Sequence, residues 1–182
     1  MKKIFLALLM LAGIHAMAQS DYDVLKDKKT KSTVYKGECT FDDLLKNKNF
    51  SWLPEGAGEY KPDTAAVSYL KQQMPNYQMV VFMGTWCDDT YTVLPKLYKV
   101  LQATGYPMKN YTMYGVDRAK TTKYVESKLY KVENVPTIIV MKNMTEIGRV
   151  VEVPKRRVEV EIAALIKDDL QKQEMRDMQK QQ

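Results

Sequence analysis

The apolar positions of this chain fall into short blocks whose spacing switches between strand and helix periods. Thr33-Val34-Tyr35 reads as a short strand ending at Gly37, and Thr40 with Asp43 resembles a capping box that opens a short helix through Leu44 and Leu45. Phe50 to Gly58, with Trp52 and Pro54, reads as irregular. Pro62-Asp63 predicts a helix start, with Val67, Leu70 and Met74 at helical spacing and Pro75-Asn76 as the stop. Met79 to Met83 is a continuous apolar run of strand length, the pattern of a strand buried on both faces. Beyond Gly84-Thr85-Trp86-Cys87, residues Val93, Leu94, Leu97, Val100 and Leu101 mark one side of a helix. Pro95 predicts a kink in it, and Gly105-Tyr106-Pro107 stops it.

The second half continues the alternation. Tyr111 to Val116 reads as a strand ending at Asp117, Thr121 to Tyr130 as a helix, and Thr137 to Met141 as a strand. Lys142-Asn143 turns the chain and Glu146 to Val153 closes a hairpin; Pro154 then opens a last helix with Val158, Ile162, Leu165 and Ile166 inward. Residues 19–32 read as polar and mobile, and Gln171–Gln182 as a polar tail. This order argues for an α/β sandwich with a central mixed sheet flanked by helices. The expected organisation is an N-terminal extension over 19–61 and the main domain over 62–170.

Composition narrows the chemistry. The 182 residues, 45% apolar and 27% charged, suit one globular domain with extras. Lys2, Lys3, the apolar run Ile4 to Ile14 and Ala16-Met17-Ala18 have the pattern of a secretory signal peptide over residues 1–18. The run is shorter than the roughly 20 residues a membrane span needs. The expectation is an exported, periplasmic protein with no membrane attachment after cleavage. Cleavage lowers the formal charge from +6 to +4 and removes His15, the only histidine. A chain without histidine has no Ser-His-Asp or Cys-His catalysis and no His-ligated zinc. Lys26, Lys28, Lys29 and Lys31, with Asp27 among them, read as a solvated tether rather than a nucleic-acid surface. No cofactor, metal or nucleic-acid partner is expected.

Two cysteines then remain, Cys39 and Cys87, in an oxidising compartment. Cys87 falls where a buried strand hands over to a helix, the functional edge of an open α/β sheet. Unpaired N–H groups at a helix start favour thiolate there, and Thr90 is placed to turn its hydroxyl back to the sulfur. Asp88 and Asp89 oppose this. The helix dipole favours thiolate by about 0.3–1 kcal/mol, whereas one carboxylate about 7 Å away at an effective dielectric near 40 disfavours it by roughly 1 kcal/mol. The two aspartates are therefore expected to tune Cys87 towards a slow nucleophile.

Phe82-Met83-Gly84-Thr85-Trp86-Cys87 resembles the active-site approach of thioredoxin-like proteins. Pro95 matches the family's kinking helix proline, Asp117 ends the next strand, and Val135-Pro136-Thr137 resembles the segment whose cis-proline faces the active-site sulfur. The likeness spans about residues 62–170. It implies a thioredoxin-like sandwich, a cis Pro136 beside Cys87, and client binding by Trp86, Val135 and Pro136 as an added strand.

The chain departs from the family at two positions. Thr90 stands where the resolving cysteine of C-x-x-C would be, and Val81 where many thioredoxins carry a buried Asp. What remains resembles monothiol members, which form a mixed disulfide but need another thiol to release it. Cys39 follows the first predicted strand, at the same end of a parallel sheet as Cys87. The family's strand order puts one strand between them, a gap of about 10 Å, beyond the roughly 7 Å a disulfide allows. Cys39 is thus expected mainly as a packed residue, with a resolving or structural link to Cys87 left open. The implied function is thiol–disulfide exchange with client proteins through Cys87 and an external thiol reductant. The alternative is a binding module that keeps the fold without turnover.

Overall fold

The computed structural model describes residues 21–181; the expected signal peptide lies outside them. Six strands form one sheet: β1 Tyr22–Lys26, β2 Thr33–Glu38, β3 Gln78–Met83, β4 Tyr111–Gly115, β5 Thr137–Lys142 and β6 Thr145–Val151. Their spatial order is β1-β2-β4-β3-β5-β6. Only β3 and β4 run parallel; β5 is antiparallel to β3, and β2 to β4. The helices are α1 Phe41–Leu45, α2 Trp52–Glu59, α3 Thr64–Gln73, α4 Asp88–Thr104, α5 Glu126–Leu129 and α6 Val158–Lys180. The expected α/β class, a mixed sheet between helices, is what the chain adopts.

Strand periodicity divides the core in two. Met79, Val81 and Met83 of β3, with Ile138 and Val140 of β5, meet Leu70, Leu97, Val100, Ile162 and Ile166 from the helices on one face. Val80 and Phe82, with Ile139, pack on the other face with Val116, Val135, Tyr130 and Val132. The central strand is thus buried on both sides, as its unbroken apolar run requires. Each large side chain fully buried here contributes about 1.5–3 kcal/mol of transfer free energy. Local signals fix the helix starts. Thr40 and Asp43 form the reciprocal capping box before α1, and the Asp63 carboxylate accepts from Ala66 N–H before α3.

Four expectations need correction. Residues 22–26 are a strand, not part of a mobile segment. Strand β1 pairs with β2 from Tyr22 opposite Gly37 to Lys26 opposite Thr33. The turn beyond it closes on Asp27, whose carboxylate accepts from the N–H groups of Lys29 (3.0 Å) and Thr30 (2.6 Å). Residues 52–59 are helical because Pro54 falls in the first turn, where a missing N–H costs nothing. Gly56 lets α2 lie against α4, since a Cβ there would stand 2.9 Å from Pro95 Cβ. The helix expected over 121–130 shrinks to Glu126–Leu129, because Thr121 bonds back to Asp117 through both its N–H and its hydroxyl, and the Thr122 hydroxyl accepts from Ser127 N–H in place of a helical carbonyl. Gln171 to Lys180 continues α6 rather than forming a tail. Its Gln, Lys, Glu, Met and Arg residues favour helix, and Gln173 bridges Asp169 (2.6 Å) and Lys142 (3.0 Å).

Candidate functional site

Strand β3 delivers Gly84-Thr85-Trp86-Cys87 to the start of α4. Cys87 is the residue that precedes the first helical turn, and its N–H donates to Gly84 O at 2.9 Å. The residue is half-buried, and its sulfur donates to Val135 O at 3.3 Å. The Val135–Pro136 bond is cis, as the resemblance implied, and Val135 is packed in the same apolar cluster as Trp86 and Cys87. Cys87, Trp86, Val135 and Pro136 therefore meet at one edge of the sheet.

Thr90 does something other than what its spacing suggested. It is fully buried, and its hydroxyl oxygen accepts from Gly84 N–H at 3.2 Å. No side chain caps the start of α4. Thr90 thus fixes the turn that presents Cys87 instead of bonding the sulfur. Gly84 is required by the same turn, because a Cβ would lie 2.8 Å from the Trp86 ring. Thr85 ties the turn to the N-terminal hairpin, donating to Thr33 O (2.9 Å) and accepting from Tyr35 N–H (3.3 Å). Val81 is buried in the core, and no carboxylate takes its place on the strand.

The sequence reading missed a cation. Arg118, just past β4, lies over the Trp86 ring with its guanidinium carbon 4.7 Å from the ring centroid. Asp27 clamps it from the N-terminal hairpin, accepting from Nε at 2.6 Å and Nη2 at 3.3 Å. That hydrogen bond, with those from Thr30, holds the Asp27 carboxyl well below the usual carboxylate range. Arg118 remains charged over an even wider range than usual, chiefly through its hydrogen bond to Asp27. Arg118 thus brings a cation over the ring of Trp86, the residue next to Cys87. Trp86 is held in turn by its own N–H, which donates to Val116 O at 2.8 Å. An Asp embedded in a lysine run was the signal available in the sequence, but nothing in the spacing linked it to Arg118.

Cys39 is not at the same end of the sheet. Because β2 runs antiparallel to β4, Cys39 lies level with Met113, to whose carbonyl its N–H donates at 2.9 Å. Met113 pairs with Val81, six residues before Cys87. Both thiols are free, and burial pushes the Cys39 thiol far up. Two strand spacings of about 4.8 Å separate Cys39 from β3, in addition to the offset along the strand. The structure does not bring Cys39 to Cys87. Among the described residues no group of three or more His, Cys, Asp or Glu side chains is placed to hold a metal ion, and no helix is long and apolar enough to cross a membrane.

No protein-family model matches the chain, and no curated protein sequence does. Solved structures do. A protein of unknown function from Pseudomonas aeruginosa superposes with a TM-score of 0.55 at 14% identity, over 74% of this chain and 93% of that one. An HIV epitope scaffold gives 0.54 at 14%, over 73% and 93%. Mitochondrial thioredoxin 3 of Saccharomyces cerevisiae, in its oxidized form, gives 0.36 at 22%, over 58% and 88%. Strands β3 to β6 have one parallel and two antiparallel pairings, the long helices cover one face, and residues just after α5 pack on the other. With Cys87 ahead of α4 and a cis-proline before β5, this is a thioredoxin-like fold.

Proposed function

We propose that the protein is exported and carries out thiol–disulfide exchange through Cys87. The observation that carries this reading is the position of Cys87: a half-buried residue at a helix start, its sulfur 3.3 Å from the carbonyl of Val135 beside the cis-proline. The Cys87 thiolate attacks one sulfur of a client disulfide. An S–S bond forms between Cys87 and the client, the client's own S–S bond breaks, and the released client sulfur takes a proton from water. Asp88 and Asp89 in the first turn of α4 and Arg118 over the Trp86 ring set the charge around Cys87. Trp86, Val135 and Pro136 receive the client chain. With Thr90 in the place of a second cysteine and Cys39 remote, an external thiol must attack the Cys87 sulfur of the mixed disulfide, forming an S–S bond to Cys87 and releasing the client's second sulfur as a thiol; a second external thiol then frees Cys87, and the two external thiols leave joined as one disulfide. The sequence pattern of residues 1–18 supports export to an oxidising compartment such as the periplasm.

Reduction of a test disulfide by wild type and Thr90→Cys, with and without an added small thiol, tests this reading. Wild type is expected to turn over only with the thiol, and Thr90→Cys to gain activity. That gain is partial, because Val81 supplies no base to the new thiol. Wild-type turnover without added thiol contradicts the single-thiol mechanism. Client binding that survives Cys87→Ser, with no mixed disulfide formed under any condition, identifies a binding module instead.

A further inference from the structure

A cavity of about 440 Å³ opens on the other flank of the cis-proline from Arg118, lined by Tyr60, Val93, Lys96 and residues 153–158. Its placement follows from register. Thr137 at the start of β5 pairs with Val151 at the end of β6, and Glu152 N–H donates to Pro136 O at 2.7 Å. The loop beyond, carrying Lys155, Arg156 and Arg157, therefore stands at the same sheet edge as Cys87.

The cavity is cationic and braced. Its lining includes Lys96, Lys155, Arg156 and Arg157 and no acidic residue. Glu161 pairs with Arg156 (2.8 Å), and Glu159 stands 3.9 Å from Arg157. Among the described residues, Lys96 and Lys155 have no carboxylate within ion-pair distance. Glu159 is fully buried and fixes the wall, accepting from Tyr60 Oη (2.8 Å) and from Asp63 N–H (2.7 Å). Lys96 (5.8 Å) and Arg157 (5.9 Å) each lie over the Tyr60 ring. Tyr60 is thus held from behind, and Lys96, half-buried with its ammonium over the Tyr60 ring, and Lys155, exposed, line the cavity without a carboxylate partner.

We infer that this cavity is a docking subsite for an acidic segment of the client chain, which carries carboxylates a few residues from the client cysteine. The inference rests on the proposed exchange at Cys87 and names its substrate class. Val93 and Lys96 lie about 9 and 14 Å along α4 from Cys87. An extended client covers that distance in about three or four residues. Charge complementarity chooses the occupant: Asp88 and Asp89 repel carboxylates next to the client cysteine, whereas Lys96 and Lys155 attract them three or four residues away. The subsite thus favours a spaced acidic pattern, not net negative charge.

Two peptides test this, each with one cysteine activated as a mixed disulfide with a small aromatic thiol. One carries glutamates three and four residues from the cysteine on both sides, and the other carries glutamines there. Mixed-disulfide formation with the full chain is expected to be about tenfold faster for the acidic peptide at low salt, with the advantage shrinking as salt is added. Lys96→Glu/Lys155→Glu is expected to invert the preference. Equal rates for the two peptides, or a preference that survives the double reversal, overturns the subsite while leaving exchange at Cys87 intact. Equilibrium binding of a Cys→Ser acidic peptide to the Cys87→Ser protein separates the two failures. Salt-sensitive binding lost in the double reversal supports the subsite even where no disulfide forms, and its absence there overturns the subsite.

Discussion

Replacing Thr90 by valine keeps the side chain's shape but deletes the acceptor that Gly84 N–H uses. Gly84 and Thr90 are both buried, and their bond measures 3.2 Å. An orphaned buried N–H costs about 1–3 kcal/mol, which for a domain of this size lowers the melting temperature by about 2–4 °C per kcal/mol. Thr90→Ser keeps the acceptor and loses one methyl group, a cost of about 0.5–1.5 kcal/mol. Denaturant unfolding of the wild type and the two variants, with a common slope, gives both numbers. Alkylation of Cys87 at neutral pH, measured on the same samples, shows whether the hydroxyl also acts on the sulfur. The account expects the larger stability loss in Thr90→Val. It also expects similar alkylation of folded Thr90→Ser and wild type. A Thr90→Val protein as stable as wild type, with a strongly slowed Cys87, would refute the reasoning and return the hydroxyl to the sulfur.

Three further outcomes follow from the site. The Asp27 carboxyl sits below its unfolded value through the Arg118 hydrogen bond, so it adds stability above about pH 3.9, lost as pH falls through the folded value. Unfolding followed from neutral to acid pH should therefore show a shallower acid limb in Asp27→Asn; identical limbs would remove Asp27 from the acid response. Asp88→Asn/Asp89→Asn should speed Cys87 alkylation at low salt, with the difference shrinking on salt addition, while Arg118→Ala should slow it; unchanged rates in both would show that neither charge acts on the sulfur. Gly84→Ala should displace the Trp86 ring, because the new Cβ would lie 2.8 Å from it, and a near-ultraviolet circular dichroism spectrum identical to wild type would contradict that contact.

The readable parts of the chain were those whose local pattern and tertiary surroundings agree. The run Met79 to Met83 is apolar throughout because both of its faces are covered, and the Thr40–Asp43 box closes within four residues. That Cys87, Trp86, Val135 and Pro136 come together was legible because a strand end, a helix start and a proline mark them in order. What escaped was set by partners distant in sequence. Strand β1 is exposed along four of its five residues, so it carries no alternation and exists through its ladder to β2. Helix α2 was hidden by Pro54, Gly56 and Gly58, of which Gly56 answers to Pro95 on another helix. The direction of β2 decided where Cys39 went, and no feature of residues 33–38 encodes direction. Arg118 acquired its place from Asp27, 91 residues earlier.

The central claim is that Cys87 forms a mixed disulfide it cannot resolve by itself. Intact-mass measurement of the purified protein after reaction with a small disulfide-bearing peptide, followed by mapping of the modified residue, tests this directly. The account predicts a single adduct on Cys87, absent in Cys87→Ser, persistent for hours without added thiol, released when a small thiol is supplied, and accompanied by an unmodified Cys39. An adduct that disappears unaided as a Cys39–Cys87 disulfide accumulates, or a wild-type chain with no adduct on Cys87, would contradict it.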